Sequence, residues 1–130
     1  MNRTQSREQA FILLFEYSFN LNPPDEIIDS AQNIREEKIS NFTLELFNGT
    51  INNLENIDNY IEKNLKNWDK TRISRVTLSI LRLALFEILY SKENPINVCI
   101  NEAVELAKKY ALQEDASYVN GVLGTVIKNI

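Results

Sequence analysis

The residues of this chain whose types suit chemistry are cations and aromatic rings, and they gather at two places. Arg3 and Arg7 stand at the start of the first helical pattern, where Thr4 or Ser6 could cap the helix. Cations there oppose the helix dipole, a mild oddity that a docked phosphate would explain, since free amides and guanidinium groups would converge on one anion. The second place is Lys66, Trp68, Lys70 and Arg72, with Lys63 and Arg75 at its edges. Interleaved cations and a ring suit single-stranded nucleic acid, with charge for phosphates and a face for a base. The plainer reading, which we favour for Trp68, is an indole anchoring the chain to its core among solvated lysines.

Other chemistries lack their parts. The chain has no histidine, which removes Ser-His-Asp and Cys-His catalysis and histidine zinc sites. Its single cysteine, Cys99, allows neither an intramolecular disulfide nor a cysteine-rich metal site, suits a cytoplasmic setting, and reads as a small helix residue. Gly49, Gly121 and Gly124 do not build a phosphate-cradling loop. Glu102 and Glu105 share a helical face, but among 18 acidic residues that spacing reads as surface solvation. The expectation is a binding module, not an enzyme, with no cofactor and no metal.

The net charge of −4 argues against a general nucleic-acid binder, but it is unevenly spread. Residues 1–7 carry +2, residues 8–62 carry −9, residues 63–82 carry +5 and residues 83–130 carry −2. That asymmetry fits a polyanion site on an acidic protein, and equally a solvated face. No signal peptide is expected, because Glu16 breaks the apolar run from Phe11 to Phe15. No membrane span is expected, because the run Val76–Tyr90 is short of the roughly 20 apolar residues a span needs and contains Arg82 and Glu87.

The elements that would position these groups are helices. Ala10, Leu13, Leu14 and Tyr17 predict a helix over Thr4–Phe19, ended by the turn at Asn22-Pro23-Pro24. The segment Glu26–Ile34 is left open between helix and loop. A second long helix is predicted over Glu36–Asn53, with Gly49 allowing close approach of a neighbour, and a third over Ile57–Leu65. The predicted Arg72–Tyr90 helix is apolar nearly all round and would span about 28 Å as the spine of the fold. Two one-sided helices follow, over Ile96–Ala111 and over Asp115–Ile127, the latter capped by Asp115. Asn120-Gly121 resembles a hairpin turn, but the 3.6-residue period on both sides overrides it and makes Gly121 a close-packing position. Arg82, Glu87, Asn101, Glu102 and Asn120 are polar groups in an apolar context and need a reason.

Three segments carry a resemblance. Ile80-Leu-Arg-Leu-Ala-Leu-Phe-Glu87, Ile100-Asn-Glu-Ala-Val-Glu-Leu-Ala-Lys108 and Tyr118-Val-Asn-Gly-Val-Leu123 resemble the bacterial NusB family of transcription antitermination factors, as does the opening Ser6-Arg-Glu-Gln-Ala-Phe-Ile-Leu-Leu-Phe15. The likeness covers the whole chain and is strongest over residues 72–126. It implies one compact all-α domain of about six or seven helices. Two small bundles, residues 1–65 and 66–130, would share the central buried helix. It also implies binding of boxA-type single-stranded RNA in nascent ribosomal RNA transcripts, together with the ribosomal protein NusE, in an RNA polymerase antitermination complex. By matching position it points to Arg3, Arg7, Phe15, Tyr110, Glu114, Tyr118 and Asn120 as RNA-binding residues, and to Arg82 and Glu87 as partner-binding or internally paired. The family often has a denser N-terminal arginine cluster, so RNA affinity without NusE is expected to be low. Monomer and homodimer both remain open. The alternatives are a helical protein adaptor without RNA binding, or the NusB-like part of a ribosomal RNA methyltransferase.

Overall fold

The structure, a computed structural model, describes residues 1–20, 22–64 and 73–130. The predicted basic window at Lys66, Trp68, Lys70 and Arg72 lies outside the described residues, as does the predicted start of the central helix. Among the described residues there are seven α-helices and no strand: α1 (Arg3–Asn20), α2 (Pro24–Asp29), α3 (Asn41–Asn52), α4 (Leu54–Asn64), α5 (Arg75–Phe86), α6 (Ile96–Tyr110) and α7 (Gln113–Lys128). Single π-helical turns extend α2 over Ser30–Ile34 and α5 over Glu87–Ser91.

The open segment Glu26–Ile34 is therefore helical. The second long helix starts later than Glu36, for two local reasons. Glu36 adopts a left-handed backbone (φ 55°), which no helix continues through, and Ser40 caps α3 by accepting from the Thr43 amide at 3.0 Å. The cap of α1 is neither Thr4 nor Ser6. Asn2 accepts from the Gln5 amide at 2.8 Å and the Gln5 side chain accepts from the Asn2 amide at 3.0 Å, a reciprocal capping box. At α7, Asp115 is not the cap residue. It sits one turn in and accepts from the Leu112 amide at 2.9 Å.

α5 is the centre of the fold. Ser74 caps it through the Thr77 amide at 3.1 Å, and every residue from Thr77 to Leu81 and from Leu83 to Phe86 is buried. It touches α1, α3, α4, α6 and α7. A helix apolar nearly all round must be surrounded, and this one is. α6 and α7 form an antiparallel hairpin, with Ala103, Leu106 and Ala107 meeting Val119, Val122, Leu123 and Val126 in the core. α1 lies across α3 and α5 with Ala10, Leu13 and Leu14 turned inward. Its seam with α3 carries polar contacts: Ser6 Oγ and Ser40 Oγ share a hydrogen bond at 2.8 Å, and Thr43 Oγ1 donates to the Ser6 carbonyl at 3.1 Å.

Two glycines separate. Gly49 is a close-approach position: a Cβ there would lie 2.2 Å from Cζ of Phe86 on α5. Gly121 is not, for a Cβ there would meet nothing within 4 Å, and the position is exposed. Gly49→Ala is expected to cost about 1–3 kcal/mol in denaturant unfolding, overpacking outweighing the gain in helix propensity. The cost should shrink in a Phe86→Leu background, and an additive double-mutant cycle would refute the clash.

Candidate nucleic-acid interface

The candidate RNA residues do not form one patch. Arg3 lies at the start of α1 and faces the segment before α6. Its guanidinium sits 4.3 Å from the Phe42 ring centre, donates to Asn94 Oδ1 at 2.9 Å and lies 3.5 Å from Glu93. Phe15 is three turns further along, about 18 Å by helical rise.

Arg7 points inward. It is 4% exposed, and its Nε donates to both carboxylate oxygens of Glu87 at 2.7 and 3.1 Å. Nη1 is 3.5 Å from Glu102, which also accepts from Thr4 Oγ1 at 2.8 Å. Glu87 is 2% exposed. Arg7 thus meets Glu87 and Glu102 as a guanidinium pinning α1 to α5 and α6, and the surface role expected for it does not match its burial. Glu87 is paired inside the fold for the same reason. Arg82 is also internally paired: its Nε and Nη2 donate to the two oxygens of Asp58 at 2.9 and 2.8 Å, tying α5 to α4.

Cys99 packs beside this cluster. Burial, with the Glu87 carboxylate next, pushes its thiol up to about 12. It is expected to resist thiol reagents at pH 8 in the native protein and to react on denaturation. Cys99's stabilising contribution is complete below its ordinary 9.0 and is lost as the pH rises through its folded value.

Of the remaining candidates, Phe15 and Tyr110 lie where α1 meets the end of α6, while Glu114, Tyr118 and Asn120 stand on α7. The Tyr110 ring packs on Phe11 with centroids 4.9 Å apart, and its hydroxyl donates to Glu8 Oε2 at 2.9 Å. Lys109 also pairs with Glu8. The Lys109 ammonium, against burial, lowers the carboxyl's pKa, whereas burial and then the Glu8 bond raise that of the Tyr110 hydroxyl. Phe15 is half-buried, its ring 6.5 Å from Phe11. On α7, Tyr118 is 40% exposed, with its hydroxyl's pKa raised by burial, and Glu114 and Asn120 are exposed.

This corner also contains residues that sequence reasoning passed over. Phe11 joins Tyr110 to Phe15. Glu8 and Lys109 fix the Tyr110 hydroxyl. Leu112 exposes a large apolar side chain at the tip of the turn, 64% accessible. A helical wheel of α1 placing Phe11, Phe15 and Phe19 in one row was the available signal. Leu112 had none, because its exposure depends on the turn geometry.

The corner between α1 and α6 thus sets the Phe11, Phe15 and Tyr110 rings beside Glu8 and Lys109. Residues 4–128 match the NusB family, and the chain belongs to that family. The transcription antitermination protein NusB of Clostridium novyi is 41% identical over 98% of this chain and 99% of its own length. That of Clostridium acetobutylicum is 43% identical over 99% and 97%. Among solved structures, antitermination factor NusB crystallised with NusE and dsRNA superposes with a TM-score of 0.88 at 27% identity, covering 98% of this chain and 97% of that one. NusB of T. maritima superposes with a TM-score of 0.85 at 31% identity, covering 98% and 92%.

Proposed function

We propose that this chain is a transcription antitermination factor that binds boxA-type RNA of nascent ribosomal RNA transcripts together with NusE. The observation that carries the reading is the ring-bearing corner of Phe15, Phe11 and Tyr110, with Tyr118 exposed on α7, in a chain of the NusB family. Tyr110 and Tyr118 offer faces on which unpaired bases stack, each worth about 1–3 kcal/mol. Asn120 and Glu114 supply polar groups on the neighbouring helix, and Arg3 provides a phosphate contact at the far end of α1. Arg7 acts behind this surface by holding α1 in place.

The chain works by binding and not by catalysis, which the lack of histidine supports. We place it in the cytoplasm, where transcription occurs, and its single cysteine is in keeping with that. No helix among the described residues is long and apolar enough to cross a membrane. Residues 1–65 and 66–130 are read as two helical units sharing α5, since α1, α3 and α4 of the first and α6 and α7 of the second all touch it.

The test is a titration of labelled boxA-type RNA, single-stranded and as a duplex, at several salt concentrations with and without NusE. The single strand should bind with a salt slope of a few phosphates and bind more tightly with NusE present. Failure of any RNA to bind with NusE present would leave only a protein adaptor and sink the reading.

A further inference from the structure

We infer that the RNA path does not stop at the Tyr110 corner but continues along α1 to an anchoring guanidinium, Arg75, stacked on Phe19. The inference rests on the RNA-binding reading above. Phe11, Phe15 and Phe19 stand at i, i+4 and i+8 on α1, so their side chains form one row. Tyr110 packs on Phe11, Phe15 lies 6.5 Å from Phe11, and Phe19 lies 6.4 Å from Phe15. The row becomes more open as it proceeds: Phe11 is 3% exposed, Phe15 half-buried and Phe19 62% exposed. A phenyl ring that open contributes little to the core, so the far end of the row is available surface.

At that end the Arg75 guanidinium lies 4.8 Å from the Phe19 ring centre. Stacking uses the flat face of a guanidinium and leaves its edge N–H donors for a phosphate. Arg75 forms no salt bridge among the described residues. It is also the first residue of α5, where a cation opposes the helix dipole, so helix stability does not account for it. It belongs to the one strongly basic stretch of an acidic chain, residues 63–82 at +5. A row of rings that opens toward a cation whose donor edge is free complements a strand with bases on one side and phosphates on the other. A protein partner would be met here by apolar side chains without need of that charge.

The experiment compares two single-stranded RNAs on the full chain with NusE present. One is a minimal boxA-type oligonucleotide, and the other is the same RNA extended by about four nucleotides at its 5′ or its 3′ end. For the unaltered chain one of the two extensions should tighten binding by about tenfold. The Phe19→Ser, Arg75→Gln double variant should lose that gain, bind the minimal RNA as before, and keep its thermal midpoint. Arg75→Gln alone should lower the salt slope for the extended RNA by about one contact. A gain that persists in the double variant, or no gain from either extension, overturns the inference while leaving the corner intact. Weakened capture of NusE with the RNA gain unchanged overturns it in favour of a protein-binding face. If even the minimal RNA fails to bind the unaltered chain, the underlying reading fails with it.

Discussion

Arg7→Ala should lower the unfolding free energy by about 3–5 kcal/mol, a large share of what holds a domain of this size. Glu87 is 2% exposed, and both its oxygens accept from Arg7 Nε. Without that partner the carboxylate is left charged and buried, or must take up a proton. Either state costs several times what a surface pair is worth. The charge, not the packing, is decisive. An Arg7→Met, Glu87→Leu double variant should recover most of the loss, because apolar replacements of a buried pair are often neutral. Chemical denaturation of the three proteins measures it. A loss below about 1 kcal/mol for Arg7→Ala would mean that Glu87 finds other partners. Any fall in RNA affinity for Arg7→Ala should track the unfolded fraction and vanish in the double variant.

Replacing Tyr110 and Tyr118 together by alanine should weaken RNA binding by about a hundredfold or more, with little change in NusE capture. The two tyrosines are 38% and 40% exposed and make no ring contact with each other, so their contributions should nearly add. Tyr118→Phe keeps the ring and should bind almost as the parent does. Tyr110→Phe loses the bond to Glu8 and tests whether fixing the ring in place matters. A double variant within about threefold of the parent would remove the corner from the RNA path.

How much of this was legible in the sequence differs from residue to residue. The apolar run Ile80–Leu89 announces a surrounded helix, and the structure surrounds it. The periods of α6 and α7 hold because nothing local interrupts them. The start of α3 was misjudged because Ile39 is in phase with Phe42 and Leu46, and periodicity does not register the left-handed turn at Glu36. At the start of the first helix Arg7 suits a docked phosphate, and the resemblance implies RNA binding for it. Its phase says otherwise, for Arg7, Ala10 and Leu14 share the inward face at i, i+3 and i+7. A lone carboxylate at Glu87 in an otherwise apolar helix was the matching half of the signal. Pairing them requires knowing that α1 crosses α5, which no local pattern contains. The tyrosines were found through the resemblance, whereas the Phe11–Phe15–Phe19 row was readable from spacing alone. Arg75 on Phe19 was not, since it joins the end of one helix to the beginning of another.

The Arg7–Glu87 pair spans 80 residues of chain. On a ribosome adding about 5–20 residues each second, Glu87 is made roughly 4 to 16 seconds after Arg7. During that interval α1 has nowhere to bury its guanidinium, and its inward face must wait for α5. α1 is therefore made well before the helices that lock it, and the row of rings it carries acquires its final setting only when α6 has also emerged. A nascent chain halted before Glu87 should remain open to protease at α1 and should not hold RNA, so the binding surface comes into being only after most of the polypeptide has been synthesised.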